Sequence, residues 1–126
     1  VIRGIGTDLV LVERIEQALQ RHGERFARRI LQDSEYQRFV THRQPARYLA
    51  KRFAAKEAAF KALGTGMADG LSWQQLRVLN DARGAPLLEL SGRAAELLQA
   101  GGGGRLLLSL TDERDHAMAF VVWSLA

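Results

Sequence analysis

Apolar residues crowd Val1–Val10, interrupted by Gly4, Gly6 and the polar pair Thr7-Asp8, a pattern that predicts a strand. Leu11, Ile15, Ala18 and Leu19 then recur at helical spacing, and Gly23 interrupts that helix before a second stretch carrying Phe26, Ile30 and Leu31. Asp33-Ser34-Glu35 reads as the cap of a short helix with Tyr36 and Phe39. Pro45 marks a boundary. Beyond it, Ala46–Leu63 is rich in Ala, Lys, Arg and Glu, which predicts a long helix stopped by Gly64. The second half turns to strands: Leu76–Leu79 and Pro86–Leu90 flank a hairpin turn at Asn80–Gly84. Ser91 caps a predicted helix, Arg93–Ala100, that ends in the tetraglycine Gly101–Gly104. Leu106–Leu110 and Ala117–Leu125 form a second predicted hairpin. The fold class is α+β: a small, mainly antiparallel sheet packed with one long helix and shorter ones.

No internal repeat or long linker divides the 126 residues, so residues 1–126 are expected to form one domain. Cysteine is absent, which excludes disulfides, thiolate zinc sites and cysteine nucleophiles. The longest apolar run, Ala117–Trp123, is strand-sized, so no membrane span is expected. The opening Val1-Ile2-Arg3-Gly4 is neither a signal nor a transit peptide, and a cytoplasmic location is expected. Lys and Arg total 18 against 14 Asp and Glu, a net charge of +4, which points to an anionic partner without naming it.

Candidate chemistry begins on the long helix. At about 100° per residue, Leu49, Phe53, Phe60 and Leu63 share one arc, and Lys56 falls inside it with Glu57 at its edge. Charges there must reach solvent, find partners or line a pocket. The structural alternative has Lys56 snorkelling and Glu57 pairing with Lys61. The opposite face, Ala54, Ala55, Ala58, Ala59 and Ala62, permits close approach of another element. Gly64-Thr65-Gly66 is either a plain helix stop or bare backbone that a phosphate can approach. Asp8 is either an N-cap or, with Glu57, half of a hard carboxylate pair suited to magnesium. Arg14, Arg21, Arg25 and Arg28 would share one face if the helix continued through Gly23, giving a surface for an acidic partner.

Three segments, Gly4-Ile5-Gly6-Thr7-Asp8-Leu9-Val10, Arg28-Arg29-Ile30-Leu31 and Arg52-Phe53-Ala54-Ala55-Lys56-Glu57-Ala58-Ala59-Phe60-Lys61-Ala62-Leu63-Gly64-Thr65-Gly66, together resemble the holo-[acyl-carrier-protein] synthases. These are the short bacterial class of the phosphopantetheinyl transferases, and the similarity extends through Asn80–Pro86 and Leu108–Val122. The resemblance implies transfer of 4′-phosphopantetheine from coenzyme A to a serine hydroxyl of apo-acyl carrier protein, in fatty acid biosynthesis, releasing adenosine 3′,5′-bisphosphate. It implies Asp8 and Glu57 as magnesium ligands, and Asp8, Glu57 and Lys61 as the catalytic set. Coenzyme contacts are implied for Arg52, Lys56, Lys61, Gly64, Thr65 and Gly66, and carrier-protein contacts for Arg14, Arg21, Arg25 and Arg28. A homotrimer with active sites at subunit interfaces is also implied. For the general base, Glu57, Glu35, Asp112 and a water on the metal stay open.

Two departures stand out. Many relatives read Ser-x-Ser/Thr-His where this chain has Ser109-Leu110-Thr111-Asp112, and an ionised Asp cannot donate to a phosphate. The common Gly-Lys-Pro is here Gly84-Ala85-Pro86. The rival reading is a small non-catalytic basic module for nucleic acid or an acidic protein. It accounts for the charge but not for Asp8 and Glu57, and the 7% aromatic content lacks the basic and aromatic interleaving of single-strand binders.

Overall fold

The chain is described here, over residues 1–125, by a computed structural model. Its centre is the long helix, and both faces of that helix are used. Helix α4, Pro45–Leu63, starts with proline at its first turn, where the missing N–H costs nothing, and stops at Gly64 with φ of 86°. Leu49 and Phe60 are buried as the apolar arc predicts, and the alanine face is buried as completely.

What covers the alanines is a three-stranded antiparallel sheet of order β1-β5-β4: β1 is Ile2–Leu11, β4 is Arg105–Glu113 and β5 is His116–Ser124. The approach is so close that a Cβ on Gly6 would lie 2.0 Å from the Ala58 carbonyl oxygen, and one on Gly4 2.1 Å from that of Ala62. Glycine on the strand and alanine on the helix therefore set the spacing together. Register places Gly6, Val121 and Leu108 in one inward row, followed by Asp8, Ala119 and Leu110.

The remaining elements close the other side. Helices α1 (Val12–His22), α2 (Glu24–Ile30) and α3 (Asp33–Thr41) precede α4, and a second, two-stranded sheet pairs β2 (Leu76–Asn80) with β3 (Pro86–Leu90). Helix α5, Gly92–Ala100, leads into β4. One contiguous apolar cluster joins these elements, from Val10 and Ile15 through Ile30, Leu49 and Phe60 to Leu76, Val121 and Trp123.

Gly23, with φ of 63° and ψ of −150°, interrupts the helix as expected, so Arg14 and Arg21 stand on one helix and Arg25 and Arg28 on the next, and the condition for a single face is not met. Other expectations are corrected. Helix α3 is capped by Gln32, whose backbone N–H donates to Glu35 at 2.8 Å; Asp33 is already inside the helix. Strand β1 runs on to Leu11, so Asp8 is a strand residue and not a helix cap. Strand β5 lacks alternation because both of its faces are apolar. Ala117, Ala119, Val121 and Trp123 face α4, while Met118 and Phe120 are each 40% exposed on the outer face. No helix among the described residues is long and apolar enough to cross a membrane.

Candidate active site

Asp8 points inward from β1 and meets α4. Its Oδ1 accepts from Lys61 Nζ at 3.2 Å, and the same ammonium donates to the Thr7 carbonyl at 2.8 Å. The Asp8 side chain is 16% exposed. Burial pushes its pKa above that of an ordinary aspartate, and the adjacent Lys61 cation pulls it part of the way back. Glu57 lies one helical turn before Lys61, on the same stripe of α4. Its Oε2 accepts from the indole Nε1 of Trp73 at 2.8 Å, so the i,i+4 pairing with Lys61 is not formed. Asp8 and Lys61 thus meet, with Glu57 one turn before Lys61 on α4 and the Gly64–Gly66 turn directly after that helix. Within that turn the Thr65 hydroxyl is buried with no hydrogen-bond partner among the described residues.

The donor set fits magnesium. Two hard carboxylate oxygens without imidazole or thiolate leave coordination positions for water and for phosphate oxygens. Among the described residues no group of three or more His, Cys, Asp or Glu gathers.

Lys56 is placed elsewhere. It is fully buried, and its ammonium donates to the Ile30 carbonyl at 2.6 Å and to Glu35 Oε1 at 2.7 Å. A coenzyme contact is closed to it because the ammonium is sealed between α2, α3 and α4. Glu35 is 2% exposed and also accepts from the Gln32 and Val78 backbone N–H groups, each at 2.8 Å, so it cannot reach a substrate proton. Both charges knit the core together, a use that the helical spacing of Lys56 leaves open. Asp112 accepts from Arg47 at 3.1 Å and forms an ion pair with Lys51 at 3.4 Å. Both of these cations precede Lys61 on α4 by ten residues or more, so Asp112 is engaged nearer the start of that helix.

Arg52 lines a cleft of about 620 Å³ with Arg38, Arg43, Arg47 and Lys51. Its guanidinium stacks on Tyr48, 4.2 Å from the ring centroid, and donates to Asn80 at 3.3 Å, while its Nε has no partner among the described residues. Sequence reasoning missed this cleft apart from Arg52. The available signal is charge: residues 36–56 hold six Lys or Arg and no Asp or Glu. Trp73 was missed as well, because nothing local ties it to Glu57. Arg14, Arg21, Arg25 and Arg28 are all exposed, and Arg28 also lies over the Tyr36 ring at 4.0 Å.

Comparison with known proteins gives the family and the fold. Residues 4–121 match the 4′-phosphopantetheinyl transferase superfamily. A holo-[acyl-carrier-protein] synthase of Halorhodospira halophila is 54% identical over 122 residues, 97% of each chain. The crystal structure of the holo-[acyl-carrier-protein] synthase of Neisseria meningitidis superposes with a TM-score of 0.91 at 42% identity, covering 98% of this chain and 99% of that one. The Helicobacter pylori holo-[acyl-carrier-protein] synthase, solved in complex with coenzyme A, superposes at 0.83 with 32% identity, covering 95% of this chain and 99% of that one. With this sequence similarity over nearly its full length and the same fold, the chain belongs to the 4′-phosphopantetheinyl transferase superfamily and, within it, to the holo-[acyl-carrier-protein] synthases.

Proposed function

We propose that residues 1–126 act as one transferase domain that moves 4′-phosphopantetheine from coenzyme A to a serine hydroxyl of apo-acyl carrier protein. The meeting of Asp8 and Lys61, one turn from Glu57 on α4, carries this reading. The serine oxygen forms a bond to the phosphorus bearing the pantetheine arm. The bond from that phosphorus to the bridging oxygen of the pyrophosphate breaks, and adenosine 3′,5′-bisphosphate leaves with the bonding electron pair. The serine proton passes to a base.

Asp8 and Glu57 would hold magnesium, which when bound supplies positive charge to the pyrophosphate oxygens. Lys61 adds a fixed cation beside them, and Gly64–Gly66 offers backbone that a phosphate can approach. Arg52 and the neighbouring cations of its cleft are suited to the coenzyme's remaining phosphate, on the ribose. Of the three carboxylates weighed as base, Glu57 alone is both near Asp8 and partly accessible, since Glu35 is sealed and Asp112 is held by Arg47 and Lys51.

Arg14, Arg21, Arg25 and Arg28 form the carrier-docking surface in this reading. Their exposure and positive charge suit an acidic protein. The outer face of the sheet supports assembly into a homotrimer with shared sites. Its rows Ile5–Val122–Leu107 and Leu9–Met118–Thr111, with Phe120 between them, expose a contiguous apolar surface. The test is release of adenosine 3′,5′-bisphosphate, followed by chromatography with coenzyme A, magnesium and apo-carrier protein. Asp8→Asn and Glu57→Gln are expected to abolish it while keeping the fold. Near-normal release by either variant would remove the carboxylate pair from the reaction.

A further inference from the structure

The short turn Trp73–Gln75 between α4 and β2 is anchored on two sides. The Gln74 side-chain amide donates to the carbonyls of Arg28 at 2.5 Å and Leu31 at 2.6 Å, and the Gln32 side chain donates to the Gln74 carbonyl at 2.7 Å. Gln75 Oε1 accepts from the Ala94 N–H at 3.1 Å, and its Nε2 donates to the Gly70 carbonyl at 3.1 Å. The turn is thereby tied to the end of α2 and the start of α5. The Trp73 ring packs against Phe53 with centroids 5.8 Å apart.

A phenyl ring would satisfy that apolar contact equally well. What the indole adds is one donor, and it is spent on Glu57 Oε2 at 2.8 Å. Glu57 Oε1 accepts no hydrogen bond from the described residues, so one carboxylate oxygen is pinned and the other is left open. A flexible glutamate on a helix surface samples several rotamers. A donor mounted on an anchored turn removes that freedom before any ligand arrives.

We propose that Trp73 is a positioning residue for the cation site: its indole N–H holds Glu57 in the orientation in which the second oxygen, with Asp8, receives a divalent cation. This rests on the assignment of Asp8 and Glu57 as the cation pair. Groups that hydrogen-bond to metal-ligating side chains typically change metal affinity by about 10- to 100-fold when removed.

The test is Trp73→Phe, which keeps the ring and deletes the donor. Mn²⁺ binding is followed by the electron paramagnetic resonance of the free ion, in the presence of coenzyme A, alongside steady-state kinetics. Affinity is expected to fall by about 10- to 100-fold, and the Mg²⁺ half-saturation to rise by more than kcat falls. Unchanged Mn²⁺ affinity in Trp73→Phe, with loss of binding in Asp8→Asn, overturns the role of Trp73 alone. Unchanged affinity in Asp8→Asn overturns the cation pair itself. The native protein offers a second measurement should the variant not fold. The chain has two tryptophans, and the Trp123 indole donates to the Gly103 carbonyl at 2.8 Å rather than to a carboxylate. In a ¹⁵N-labelled sample the Trp73 indole resonance is expected to move on Mg²⁺ addition while that of Trp123 stays still. A Trp73 resonance that does not move overturns the proposal.

Discussion

Lys56→Met replaces the most deeply buried charge in the chain with an isosteric apolar stem, and its consequence can be worked out before any assay. The ammonium is lost from the Ile30 carbonyl and from Glu35 Oε1, contacts of 2.6 and 2.7 Å. Glu35, 2% exposed, is left as a buried carboxylate with only the Gln32 and Val78 N–H groups. Removing one partner of a buried ion pair costs about 3–5 kcal/mol, because the remaining charge is uncompensated. With an unfolding entropy of about 2.1 cal/mol/K per residue, 126 residues give roughly 0.26 kcal/mol/K, so the melting midpoint should fall by about 11–19 °C. Adding Glu35→Gln neutralises the leftover charge and keeps one acceptor, and should recover about 1–2 kcal/mol. Calorimetry of the two variants measures both numbers. At a temperature where Lys56→Met is folded, its KM for coenzyme A should stay within about twofold of the wild type. A variant with the wild-type midpoint but a much raised KM would refute the reasoning, because it would make Lys56 a ligand contact.

Three further outcomes follow from the geometry. Gly6→Ala would drive a Cβ to 2.0 Å from the Ala58 carbonyl oxygen, so α4 must move off β1; a loss of about 2–3 kcal/mol in denaturant unfolding is expected, and wild-type stability would contradict the close packing. Asp8 holds its proton to higher pH in the folded chain than in the unfolded one, so the stability it contributes is full below pH 3.8 and is lost as pH rises through the folded value. Lys61→Met removes the cation that lowers that value; the Asp8 carboxyl ¹³C titration should shift further upward, and a downward shift would contradict the assigned causes. If the outer sheet face forms the proposed homotrimer, Phe120→Glu, at a side chain 40% exposed there, should give folded monomers in light scattering where the wild-type chain gives trimers; a variant as trimeric as the wild type would place the interface elsewhere, and a monomeric wild type would remove the homotrimer.

The elements that position the site were legible because each carries its own local pattern. The α4 composition, the stop at Gly64 and the glycine-broken first strand all sit within short windows. The alanine face signalled close approach, and the sheet that makes that approach confirms it. What was illegible depends on distant partners. Lys56 looks alike whether it lines a pocket or pairs inward, since the choice is made by Glu35, 21 residues upstream. Trp73 joins Glu57 only through a turn anchored to α2 and α5, which no periodicity reveals. The break between the two arginine pairs was legible at Gly23, where the structure ends one helix and begins the next.

The central claim is group transfer onto the carrier protein, and intact-mass spectrometry tests it most directly. Apo-acyl carrier protein incubated with coenzyme A, magnesium and this protein should gain the mass of one phosphopantetheine, localised by fragmentation to a serine, and should gain none when the Asp8→Asn variant is used. A carrier protein whose mass does not change with the wild-type chain, under conditions where an established synthase modifies it, would contradict the account.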